Sequence, residues 1–257
     1  MSGDDGLCRT EFKLRLKVGD GELLAKVSVP TAPIRPADLL PVLQSLDDAL
    51  VEAAIEAVRR EGKMVSCRAG CGACCRQLVP ISPTEARYLA ELVAGLPQDR
   101  RSRVVERFRQ ASAALEARRL VDRLRAASHL TDVDEKGRLA RDYFRAQVAC
   151  PFLEEESCSI HPDRPLSCRE YLVTSPAARC QEPEASGIEK VPLYAKPTQV
   201  LFCFGDGEGG GEVCWLPLVL LADWAAAHGR DAQPRLPGDR MFQSFLERLG
   251  GQGKSPP

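Results

Sequence analysis

The sequence predicts a mainly α-helical protein of the α+β class: a helical metallodomain with cysteine-rich loops and a small N-terminal β-hairpin. Three observations predict it. Apolar residues recur at helical spacing through several long segments; strict two-residue alternation is confined to the stretch before Pro30; and eight of the eleven cysteines fall into two groups beside predicted helices.

The 257 residues, 44% hydrophobic and 28% charged, have the composition of a folded chain, because a disordered one carries fewer aliphatic side chains and a larger net charge. With 35 basic against 36 acidic side chains the formal charge is -1, which excludes a strongly basic nucleic-acid protein as the default. The expected division is residues 1–36 as hairpin and proline-rich linker, and residues 37–257 as the helical cysteine-cluster domain with its motif core at 67–180.

From Phe12 to Val18 apolar and basic residues alternate, Gly19-Asp20-Gly21 turns the chain, and Glu22 to Val29 returns, a hairpin with one covered face. Pro30, Pro33 and Pro36 then predict a stiff linker, since fixed φ angles and missing amides disfavour helix and sheet alike. Asp38 is placed to cap a helix reaching Arg60, with Leu39, Leu43, Leu46, Leu50, Ala54 and Val58 on one stripe. Ser82-Pro83-Thr84-Glu85 is a sharper start: a hydroxyl cap, proline at the first helical position, and a glutamate three residues after the cap.

Residues 98–128 carry one long helical pattern with nine arginines against four acids. The single aromatic, Phe108, belongs to the apolar stripe with Val104, Ala111 and Leu115, so the charged side is read as a solvated face rather than a nucleic-acid surface. A helix is expected over Asp134 to Val148, short strands over 199–204 and 212–216 around a glycine-rich hairpin tip, and helices over Leu216 to His228 and Arg240 to Leu249. No apolar run approaches the ~20 residues of a spanning helix, and Met1-Ser-Gly-Asp-Asp5 lacks the basic start and apolar stretch of a secretory signal. A cytoplasmic, reducing setting is expected, in which clustered cysteines are metal ligands or redox groups rather than disulfides.

The first cysteine group is Cys67-x3-Cys71-x2-Cys74-Cys75, on a loop with Gly70 and Gly72; the second is Cys150, Cys158, Cys168 and Cys180. Three chemistries compete. Structural zinc wants a tetrahedron of four ligands, which adjacent Cys74 and Cys75 fit awkwardly. An iron–sulfur cluster accepts dense, irregular spacing, and Cys150-Pro151 matches the cysteine-proline of bacterial ferredoxins. A radical-generating cluster shares the first spacing, but the helical chain downstream lacks strand–helix alternation and Cys75 would close the open iron. Asp163 and Pro165 predict a helix start before Cys168, with its sulfur near a positive helix end. Arg68, Arg76, Arg164 and Arg169 sit within a few residues of these cysteines, where they can offset thiolate charge or donate to sulfur; Arg76, Arg164 and Arg169 are the cofactor-binding candidates.

The run Cys71-Gly-Ala-Cys74-Cys75-Arg76, then Pro80-Ile-Ser82 with Glu85, Cys150-Pro-Phe-Leu153, Cys158-Ser-Ile160 and Arg164-Pro165 with Cys168-Arg169 resembles the YkgJ-type cysteine-cluster family. Those proteins are described as zinc- or iron-chelating, and flagellin lysine N-methylase is similar in its cysteine motif. The resemblance covers about residues 67–180 and implies Cys67, Cys71, Cys74, Cys75, Cys150, Cys158, Cys168 and Cys180 as metal ligands. The first interval here is three residues where the family often has two, and His161 stands where a tyrosine is common. His161 is read as a hydrogen-bonding side chain, with extra ligation as its other role. Cys8, Cys203 and Cys214 lie outside the pattern; the last two flank the glycine loop and are expected to be buried thiols.

The expected function is that of an iron–sulfur protein, a [4Fe–4S] cluster serving a redox or protein-modification role; the alternative is a structural or chelating zinc module without catalysis, or one binding iron ions. A redox or protein partner is expected and a nucleic acid is not. No nucleophile–base pair or nucleotide-binding loop is present, so no reaction is assigned.

Overall fold

The computed structural model describes residues 8–18, 21–130, 132–182, 187–204, 213–229 and 232–251. The predicted turn at Gly19-Asp20 and the glycine-rich tip at 205–211 lie outside them.

Strands β1 (Arg9–Val18) and β2 (Gly21–Pro30) pair antiparallel with Phe12 opposite Val27. Alternation puts Phe12, Leu14, Leu16, Leu23 and Val27 on the face that meets the main core. That core lies under the first and last helices, α1 (Pro36–Arg60) and α9 (Gly238–Gly251), and Phe12 meets Phe242 edge to face at 5.0 Å. The hairpin is thus covered on one face, as its pattern predicts. The proline linker is more ordered than expected: Pro33–Ile34 forms β3, paired with β8 (Leu236–Pro237), and Pro36 starts α1. A proline at an edge or at a first helical position loses no hydrogen bond, so three of them do not exclude structure. Asp38 sits in the first turn of α1 rather than at its cap, accepting from the Arg35 amide at 2.9 Å.

A short strand β4 (Pro80–Ile81) leads into α2 (Pro83–Gly95) through the predicted reciprocal cap: Glu85 N–H donates to Ser82 Oγ at 3.1 Å, and Ser82 N–H donates to Glu85 Oε2 at 2.8 Å. The single helix expected over 98–128 is broken. α3 (Gln98–Glu116) stops where Arg119 adopts φ 57°, and α4 (Val121–Arg125) and a 3-10 turn at Ala127–His129 follow. The Leu120 amide closes back on the Leu115 carbonyl at 3.0 Å, and Leu115, Leu120 and Leu124 are buried together with Leu139 and Tyr143 of α5 (Val133–Arg145). Burial of both arms of the bend outweighs the helical propensity that the arginines contribute.

After α5, a two-residue hairpin joins β5 (Leu153–Glu154) to β6 (Ser157–Cys158), with Glu155 and Glu156 both at positive φ, 47° and 57°. This is the twist-matched turn usually built from Asn-Gly, so two glutamates there store strain. α6 (Leu166–Glu170) follows a 3-10 turn at His161–Asp163; Asp163 accepts from Tyr88 Oη at 2.6 Å instead of capping the helix. The strand expected over 199–204 is the helix α7 (Pro197–Phe202), whose Val200 and Leu201 face the main core with Phe204 beyond them. β-branched and aromatic residues misled there, because burial beside α9 selects helix over propensity. β7 (Leu216–Pro217) pairs with β4, and α8 (Leu221–His228) closes against α2 and α3.

Candidate metal centre

The first cysteine group begins after α1, where Ser66 ties the loop to the segment beyond α6: its amide donates to the Val173 carbonyl at 3.0 Å and its hydroxyl to the Ser175 carbonyl at 2.5 Å. Gly70 takes φ +79°, which an L side chain rarely adopts. Gly72 has another reason: a Cβ there would stand 2.5 Å from Glu156 Oε2, 2.9 Å from Leu153 Cδ1 and 3.2 Å from Glu156 Cα, so a side chain would displace both of those side chains and crowd the backbone of the β5–β6 hairpin. A 3-10 turn at Ala73–Arg76 then presents Cys74 and Cys75 in succession. The Cys150 amide donates to the Cys75 carbonyl at 2.7 Å, joining the two sequence groups through the main chain.

α6 carries Cys168 and is pinned at its start. The Leu166 amide donates to Glu85 Oε1 at 2.9 Å and Ser167 Oγ to the Pro80 carbonyl at 2.8 Å. Since Pro80 lies five residues beyond Cys75, these bonds set the separation of Cys75 and Cys168.

The result is a cavity of ≈ 600 Å³ lined by all eight predicted cysteines: Cys67, Cys71, Cys74, Cys75, Cys150, Cys158, Cys168 and Cys180. None of them forms a disulfide. Its other walls are largely apolar, with Phe152, Ile160, Leu172, Val173 and Leu218 among them. Among the described residues, no three His, Cys, Asp or Glu groups are gathered in an arrangement that could hold one metal ion, so the sulfurs ring the space rather than meet at a point.

Of the candidate cations, Arg164 lines the cavity. Its Nε is buried without a hydrogen-bond partner, and its charge favours thiolate at Cys67, Cys74 and Cys158. Arg76 and Arg169 lie outside the lining and are held elsewhere. Arg76 pairs with Glu156 at 2.6 Å. Arg169 is 4% exposed, donates to Asp48 Oδ1 and Oδ2 at 2.6 and 2.7 Å and to the carbonyls of Pro162 and Arg164, and so braces the loop that carries Arg164. His161 lines the cavity while remaining largely solvent-exposed, and Cys8, Cys203 and Cys214 are not part of the lining. Cys214 is exposed rather than buried as expected, next to residues outside the description.

Without a cation the ring of thiols resists ionisation. Burial pushes Cys150 up to about 12 and Cys168 well above its ordinary value, with the neighbouring cysteines adding repulsion. Burial likewise raises Cys67, Cys158 and Cys180. Cys74 is the exception: a hydrogen bond from Cys75 brings it down to about 7 despite burial, with Arg164 helping, while Cys75 is raised in turn. The donor chemistry therefore fits a metal. A bound cation deprotonates a coordinating thiol outright, and an unpaired guanidinium nitrogen offers a further donor to sulfur.

Two groups have contacts that the sequence did not assign: Tyr171 in the cavity wall, and Glu85 outside it. Tyr171 accepts from Gln77 Nε2 at 3.3 Å and lies under Lys190 Nζ at 4.9 Å from the ring centroid. The signal available was an aromatic side chain three residues after Cys168. Glu85 was legible as a helix cap but not as the acceptor for Leu166, because nothing local links residues 81 positions apart.

Among the described residues, no helix is long and apolar enough to cross a membrane. No curated protein and no solved structure matches the chain. Residues 66–190 match the family model CxxCxxCC, described as a "putative zinc- or iron-chelating domain". With the cysteines of both motifs around one cavity inside that span, residues 66–190 are similar to the CxxCxxCC cysteine-cluster family, and the match supports metal binding by this part of the chain.

Proposed function

We propose that the protein is an iron–sulfur protein, its eight clustered cysteines holding iron as [4Fe–4S] in a redox or protein-modification role. The observation that carries this reading is the cavity itself. Eight free thiols surround ≈ 600 Å³, a volume in the range of small-molecule sites and far beyond the space left inside four sulfurs closed on one zinc ion. Bound there, an iron–sulfur cluster supplies one-electron transfer at a potential set by charge, hydrogen bonds and solvent access. The residues of the chain supply those three controls. Arg164 places positive charge and a free N–H donor at the wall, and Phe152, Ile160 and Leu218 keep water from the sulfurs. Burial raises the Cys180 thiol, and Tyr171, held by Gln77, works against that rise.

The test is iron, zinc and acid-labile sulfide in protein purified anaerobically from cells supplied with both metals. Iron with matching sulfide and a visible charge-transfer absorption is expected. Stoichiometric zinc without sulfide would instead identify a structural or chelating zinc module. Cys74→Ser and Cys168→Ser should each reduce the metal content, and Cys214→Ser, outside the cavity, should leave it unchanged.

A further inference from the structure

The base and the tip of the β5–β6 hairpin are held by different partners. The base is pinned to α3: Arg107 Nη1 donates to the Leu153 carbonyl at 3.0 Å and Nη2 to Glu154, and Arg100 donates to the Ser159 carbonyl. The tip is tied to the cysteine loop through Glu156, which accepts from Arg76 Nη2 at 2.6 Å and from Nη1 at 3.0 Å, while the same Nη1 donates to the Gly72 carbonyl at 3.0 Å. The Arg76 and Glu156 side chains are 27% and 49% exposed, so water competes for this fork. Glu155 and Glu156 hold the tip at φ 47° and 57°, a conformation that costs free energy in a residue with a side chain.

The tip also stands between two spaces. Glu156, Ser157 and Cys158 line the cysteine cavity, while Glu154, Glu155 and Ser157 line an open cleft of ≈ 790 Å³ beside α3. Ser157 borders both. The tip therefore has room to move on a side lined by none of the cysteines, with the exposed Arg103 as a cation there for a carboxylate that has left Arg76.

We propose that the β5–β6 tip is a gate on the cysteine cavity and that the Arg76–Glu156 fork is its latch. With the fork closed, the tip packs on Gly72 and completes the cavity wall. When the fork opens, the left-handed turn relaxes, and the tip swings about its pinned base into the cleft and uncovers the thiols. What passes through, a metal cation, rests on the metal-binding reading above; the gate itself is a property of the metal-free chain.

Thiol access in the full-length, metal-free, reduced protein tests the gate. The measurement is the rate at which N-ethylmaleimide modifies each cavity cysteine, read by mass spectrometry, with the exposed Cys8 as internal reference. Arg76→Gln and Glu156→Gln should each speed modification of the cavity cysteines about two- to fivefold, the size expected of an exposed ion pair. The double variant should gain no more than either single one, because all three lose the same fork. The two changes alter the local charge in opposite directions, so a shared acceleration is not an electrostatic effect on the thiols. Zinc uptake, and zinc loss to a chelator, should quicken by the same factor, with the amount bound at saturation unchanged. Urea below the unfolding range separates the gate from general loosening: a short hairpin tip exposes little surface on opening, so the rates should hardly respond. The proposal is overturned if either variant reacts at the wild-type rate, if the double variant shows the summed effect, or if the acceleration grows with urea as global unfolding does. A wild-type chain that takes up no zinc and no iron overturns the metal-binding reading instead, and the modification rates still decide the gate.

Discussion

Glu85 and Leu166, 81 residues apart in the chain, are joined by a buried hydrogen bond: the Leu166 amide donates to Glu85 Oε1 at 2.9 Å while Oε2 of the same carboxylate accepts from its own helix cap, Ser82. One side chain therefore satisfies the first turns of two helices, α2 and α6, and fixes the second against the first.

Replacing Glu85 should loosen the cysteine wall as well as destabilise the fold. Glu85→Ala leaves the Ser82 and Leu166 amides without partners in a buried site, at about 1–3 kcal/mol for each unsatisfied group. The expected outcome is a urea midpoint lowered accordingly, with weaker metal retention because α6 carries Cys168. A variant with unchanged stability would show that the link is dispensable.

Asp47 predicts a pH dependence. It lies on α1 with neither carboxylate oxygen hydrogen-bonded, and burial first, then the charge of Glu170, push it up to about 8, against some relief from Arg169. Asp48 and Glu85 add to the upward push. Partial burial raises Glu170 to about 7. Both pKa values are raised above those of the unfolded chain, so the folded state keeps protons that the unfolded state releases. The stability this contributes is present at low pH and is lost as pH rises from about 4 toward about 8. Each group adds a slope of up to about 1.4 kcal/mol per pH unit. Urea unfolding across that range should show the fall, and Asp47→Asn should flatten it and gain most at the alkaline end.

Arg164 and Arg169 should separate cleanly. Arg164→Ala removes the cavity's buried charge and should move the reduction potential of the loaded protein downward, with Arg164→Lys recovering part of the shift. Arg169→Ala removes a buried brace with bonds to Asp48 and to the carbonyls of Pro162 and Arg164, and should appear mainly as about 2–3 kcal/mol of lost stability. Equal potential shifts in both would contradict this division of roles.

The β5–β6 turn offers a gain. Glu155 sits at φ 47° with an exposed side chain, while Glu156 holds Arg76. Glu155→Gly should relieve left-handed strain of about 1–2 kcal/mol, partly offset by about 0.5–1 kcal/mol of added chain entropy. A small rise in melting temperature with unchanged metal content is expected. Glu156→Gly should give less or none of the gain, since it also breaks the tie between the hairpin and the cysteine loop.

By itself the sequence determined the helical class, the half-covered hairpin, the Ser82–Glu85 cap and the identity of the eight cysteines around the cavity. Each of these is written in spacing along the chain: a period of two or of nearly four, a cap and its partner three residues on, thiols too dense for chance. The tertiary structure alone decided which cysteine stands beside which, that Arg164 rather than Arg76 or Arg169 faces the cavity, that residues 199–204 are helix, and that the arginine-rich helix breaks at Arg119. Those outcomes depend on burial and on bonds such as Leu166 to Glu85 and Cys150 to Cys75, made between residues far apart in the chain. Local propensities of a few tenths of a kcal/mol yield to packing terms several times larger, so the cysteines that line the cavity are legible in the motif while their neighbours in space are a property of the fold.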